Sequence, residues 1–79
     1  MGGGALTEVY YRARVDGQVF AEYTTLQAAL LCMNHRDHPR KPRSITMMEE
    51  DEISIRPVGV AHFRADKREP ILMEGRLNK

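Results

Sequence analysis

The residues best suited to chemistry lie in CMNHRDHPRKPRS, positions 32–44, which hold the only cysteine, two of three histidines and four of twelve basic residues. Cys32, His35 and His38, with His62 as a fourth, supply the thiolate and imidazole ligands that zinc accepts. The spacing argues against a zinc site. Cys32 and His35 can share a helical face, but His38 falls at the helix end beside Pro39, and two well-separated ligand pairs are missing. The stretch reads instead as a helix end without metal. Cys32 becomes a small core or boundary residue, and the histidines become cations near the negative helix terminus. A second candidate is a phosphate grip made by Arg36, Arg40, Lys41 and Arg43, extended by Arg12 and Arg14, with Tyr10 or Phe20 offering rings for base stacking. Asp37 inside that cluster and Glu49, Glu50, Asp51 and Glu52 soon after it favour solvated loop surface.

The acidic run lacks the alternating ligands and central glycine of a calcium loop, so it reads as a turn. Ser44 and Ser54 could be nucleophiles with a histidine as base, but no nucleophile elbow or phosphate-cradling glycine loop surrounds them. Neither an enzyme nor a cofactor is expected.

The elements that would carry these residues follow from periodicity. Positions 8–15 alternate, with Val9, Tyr11 and Ala13 on one side and Tyr10, Arg12 and Arg14 on the other, as in a half-buried strand. Asp16-Gly17 marks a turn. A three-residue loop of Val15, Asp16 and Gly17 would pair Ala13 with Val19 and Tyr11 with Ala21. That register points Val9, Tyr11, Ala13, Val19, Ala21 and Tyr23 inward and Tyr10, Arg12, Arg14 and Phe20 outward.

Thr24 and Gln27 have the spacing of a capping box. Leu26, Ala29, Leu30 and Met33 form a helical stripe, and Pro39 ends the helix near Asp37. Leu30 lies centrally in that stripe, so Leu30→Ala is expected to harm stability more than Cys32→Ala. Positions 44–48 and 53–63 read as a second hairpin, pairing Met47 with Ile53 and Ile45 with Ile55. Pro57 and Gly59 imply a bend, bulge or second turn near Arg56.

Residues 1–7 then form a flexible arm, 8–64 a single α+β domain, and 65–79 a charged segment in which Ile71, Leu72 and Met73 could make a short edge strand. The ββαββ order, with one helix on a mainly antiparallel sheet, resembles the ubiquitin-like β-grasp and is similar to some small phage-encoded inhibitors of host enzymes. The likeness lies in element order alone. The diglycine tail of ubiquitin is absent, and fold analogy does not deliver function.

Seventy-nine residues bury a small core. A formal charge of +1 excludes the broad positive field of a dedicated nucleic-acid binder. One cysteine cannot form an internal disulfide, and no apolar h-region follows the Gly-rich start, so a reducing cytoplasm is the expected compartment. The longest apolar-rich run falls far below the roughly 18 residues that span a bilayer. The expected function is a small non-catalytic protein–protein interaction module, an adaptor or inhibitor of a larger cellular machine. It would bind through Tyr10, Arg12, Arg14 and Phe20, residue types favoured at interfaces. The same surface could close a homodimer. The alternatives are the nucleic-acid grip and, behind it, the zinc domain.

Overall fold

The structure, a computed structural model, describes residues 7–32, 41–64 and 70–78. Its first hairpin is decided by Asp16 and Gly17, which take positive φ of 54° and 83°. This is the pairing of a type I′ turn, tolerated by Asp and free of strain for Gly. The turn therefore has two residues, with strand β1 (Glu8–Val15) joined to β2 (Gln18–Tyr23) and Val15 opposite Gln18. A bulge at Phe20 then restores one apolar face, pairing Ala13 with Ala21 and Tyr11 with Tyr23. The expected three-residue loop is thus corrected. Val19 stands opposite Arg14 and is 55% exposed instead of pointing inward.

Helix α1 (Leu26–Cys32) begins one residue later than the Thr24 cap predicts. Thr25 is the cap: its Oγ1 accepts from the Ala28 N–H at 3.1 Å and its carbonyl from the Ala29 N–H at 3.2 Å. The shift changes which side chains face the sheet. Ala29 is fully buried and Leu26 packs against the core, whereas Leu30 is 42% exposed. Met33 lies outside the described residues.

The second hairpin joins β3 (Arg43–Glu50) to β4 (Ile55–Phe63) through a four-residue loop. Asp51 builds that loop. Its Oδ1 accepts the N–H groups of Ile53 and Ser54, each at 2.8 Å, while its own N–H donates to the Ser54 carbonyl. Ile53 is consequently a turn residue, 93% exposed, and Glu50 pairs with Ile55. The predicted partners are corrected accordingly: Met47 lies opposite Gly59 and Ile45 opposite Ala61. A bulge near Pro57 and Val58 shifts the register between Met47 and Met48. Residues 70–75 form β5 (Pro70–Gly75), antiparallel to β4.

The result is an α+β domain with five antiparallel strands in one sheet, ordered β2-β1-β3-β4-β5, and one short helix packed on it. A β-grasp sets a parallel pair at the centre of its sheet, whereas β1 here is antiparallel to both neighbours, so that likeness ends at element order. Ala29, Ile45, Ala61 and Phe63 form the buried cluster, flanked by Tyr11, Tyr23, Leu26, Met73 and Leu77. No helix among the described residues is long and apolar enough to cross a membrane.

Beyond Gly75 the chain turns back onto the sheet. The Arg76 N–H donates to the Val58 carbonyl at 2.8 Å and Leu77 reaches the core. This turn also completes an ionic clamp around Glu49, whose carboxylate is nearly buried and accepts from Arg56 at 2.7 Å and from Arg76. The Arg76 hydrogen bond, with help from Arg56, holds the Glu49 carboxyl below its ordinary range. Asp51 is depressed as well, chiefly by the Ile53 and Ser54 N–H groups.

Both carboxyls have folded values below their unfolded ones, so their stabilisation is complete above the ordinary carboxylate range. It is lost as pH falls through the depressed values. Urea midpoints of the wild type should accordingly fall between pH 6 and pH 3 more than those of Glu49→Gln, which has one of the two groups removed. Parallel declines would show that Glu49 carries no such linkage.

Candidate functional site

The inner sheet face receives α1 and Leu77. Among the described residues no helix or strand covers the other face. Alternation along β1 sends Tyr10, Arg12 and Arg14 there, and each is only half-exposed. Arg12 is the organised centre. Its Nε donates to Glu22 Oε2 at 2.7 Å across the β1/β2 pair, its Nη2 donates to the Tyr10 hydroxyl at 3.3 Å, and its guanidinium carbon lies 5.8 Å from the Tyr10 ring centroid. The Glu22 hydrogen bond raises the Arg12 pKa above its ordinary value. Tyr10 and Arg12 are thus fixed relative to each other by contacts that require Glu22.

Arg14 behaves differently. Its Nη1 donates to Thr46 Oγ1 at 3.2 Å, and among the described residues it meets a hydroxyl where Arg12, Arg56 and Arg76 meet carboxylates. Its stem helps to bury Thr46 on the neighbouring strand. Phe20, at the bulge of β2, is 52% exposed beside Val19. The four residues selected from the sequence therefore divide into a Tyr10/Arg12 contact, a separate Arg14, and Phe20 on the edge strand.

The second candidate set fares otherwise. Arg36 and Arg40 lie outside the described residues, and Lys41 is exposed. Arg43 belongs to β3 and not to an open loop. It is 4% exposed, its guanidinium lies 5.2 Å from the Phe63 ring centroid, and its Nη2 donates to the Arg64 carbonyl at 3.1 Å. Burial lowers its pKa. A surface phosphate contact at Arg43 is therefore corrected to a buried cation at the sheet end.

Of the proposed zinc ligands, the Cys32 side chain, His35 and His38 lie outside the described residues, while His62 Nε2 sits 3.4 Å from Glu74 Oε1. Among the described residues no group of three or more His, Cys, Asp or Glu side chains could hold a metal ion.

Two organising residues escaped the sequence reading. Glu22 was hidden by the register: a three-residue loop sets Phe20, not Glu22, opposite Arg12. Arg76 lies 27 positions from its partner Glu49, beyond the reach of any local pattern. The chain matches no protein-family model, no curated protein and no solved structure.

Proposed function

We propose that this protein is a small non-catalytic protein–protein interaction module, an adaptor or inhibitor that holds an extended segment of a larger partner along the open edge of β2. The observation that carries this reading is the juxtaposition of that edge with the fixed Tyr10/Arg12 pair. β2 ends the sheet, and Val19 and Phe20 are both more than half exposed on it. An edge strand offers backbone hydrogen bonds to an incoming strand, and flanking side chains supply selectivity. Tyr10 and Arg12, already held by Glu22, give contact area with little further loss of side-chain freedom. Arg14, which meets no carboxylate among the described residues, suits an acidic side chain on that segment.

The test combines capture with reconstitution. A partner captured from lysate, identified and purified should bind the wild type directly. Its affinity should fall by about tenfold or more for the folded Tyr10→Ala/Phe20→Ala variant. Neutralising Arg36, Arg40, Lys41 and Arg43 should leave capture largely intact. Loss of capture after nuclease treatment, or unchanged affinity in the aromatic variant, would overturn the reading in favour of nucleic acid or another surface.

A further inference from the structure

At the end of the sheet nearest the Asp16-Gly17 turn, and away from the Tyr10/Arg12 pair, lies a cleft of about 430 Å³. Arg43, Ser44, His62, Phe63, Ile71 and Leu72 contribute to its lining, and no Asp or Glu does. The register explains how these residues meet. Arg43 is opposite Phe63, Ser44 is opposite His62, and His62 is opposite Leu72 on β5. A bulge between His62 and Phe63 inserts Ile71 at the mouth, where it is exposed.

The cleft combines two properties. Its apolar share comes from Phe63, Ile71 and Leu72, with Pro42 above them. Its charge comes from Arg43, a guanidinium that stays protonated although the fold has withdrawn it almost completely from water. A charge so placed acts on a nearby anion through a lower effective dielectric than a surface arginine does. Glu74 lies beside His62 Nε2, so the decisive charge is that of Arg43, with the Ser44 hydroxyl as a neighbouring donor. Small-molecule sites have this composition: apolar walls, a volume of several hundred Å³ and a few polar groups that fix orientation.

We infer that the cleft binds a small organic anion, a carboxylate carried on an apolar body, with the carboxylate towards Arg43 and Ser44 and the body against Phe63, Ile71 and Leu72. The site is independent of the partner-binding edge on β2, four strands away.

The experiment uses the full chain and three probes, followed by amide chemical shifts in β3, β4 and β5. 2-Naphthoate carries both the charge and the apolar body, naphthalene-2-methanol has the body without the charge, and inorganic phosphate has the charge without the body. 2-Naphthoate should produce saturable shifts at residues 43–44, 62–63 and 71–72, with affinity about tenfold or more above that of either other probe. Leu72 is half-exposed, so Leu72→Glu and Leu72→Lys should both keep the fold, verified by spectral dispersion. Leu72→Glu should weaken 2-naphthoate by about tenfold relative to Leu72→Lys, because only the first places a like charge beside the ligand. Any of three results would overturn the inference: no saturable shift by about 10 mM, equal affinity for the neutral alcohol or for phosphate, or equal weakening by the two Leu72 variants.

Discussion

Ile45→Ala should lower folding stability by about 2–5 kcal/mol, the usual range for truncating a buried aliphatic side chain. Ile45 is fully buried on the central strand β3, between Ala13 and Ala61, and its neighbours in the cluster include Ala29 of the helix. With alanines on three sides, Ile45 supplies most of the local volume, and small neighbours collapse poorly into a void. For 79 residues, total stability of about 0.05–0.15 kcal/mol per residue is roughly 4–12 kcal/mol, so this single change can unfold much of the population. Leu30→Ala should cost clearly less, because Leu30 keeps 42% of its surface in solvent. Urea midpoints compare the two directly. A larger loss for Leu30→Ala would show that the helix buries the face expected from its sequence and not the one described here.

The second large effect is expected at Gly75. It holds φ of +66°, and a Cβ built there would stand 2.3 Å from the Val58 carbonyl oxygen. That same oxygen accepts the Arg76 N–H, so Gly75→Ala strikes the bond that brings the chain back onto the sheet. Gly17 separates strain from collision: its φ is +83°, but a Cβ there meets nothing within 4 Å. Gly17→Ala should therefore cost only about 1–2 kcal/mol, the penalty of the left-handed conformation. Gly75→Ala should exceed it and remove hydrogen-exchange protection from β5, Arg76 and Leu77 first. Equal stabilities for the two variants would mean that the turn after β5 adapts without loss.

These expectations rest on features that were legible in the sequence to very different degrees. β1 was readable because its alternation spans eight residues and its inner positions carry the apolar side chains. The inward set Tyr11, Ala13, Ala21 and Tyr23 was found despite a wrong loop length, since the Phe20 bulge restores the side-chain parity that a longer loop would have given. The β3/β4 register was not readable. Ile53 looks like a strand residue by composition, yet the Asp51 carboxylate ties the N–H groups of Ile53 and Ser54 into the loop. Helix phase failed by one residue because Thr24 and Thr25 are equally good caps, and that choice decides whether Leu30 is central or peripheral. Arg43 was assigned to a basic loop on charge alone. Its burial depends on Phe63, twenty positions away, which accepts the guanidinium against its ring face.

The Glu49 clamp has a consequence for the nascent chain. Arg76 is translated 27 residues after Glu49, an interval of about 1–5 s at typical elongation rates. Until β5 has been made, β4 presents a free edge, with the backbone groups of residues 59–63 that will later bond β5. Other newly made chains compete for that edge during the interval. Slower translation after Phe63 would lengthen the exposure, and the return of Arg76 to Glu49 would end it.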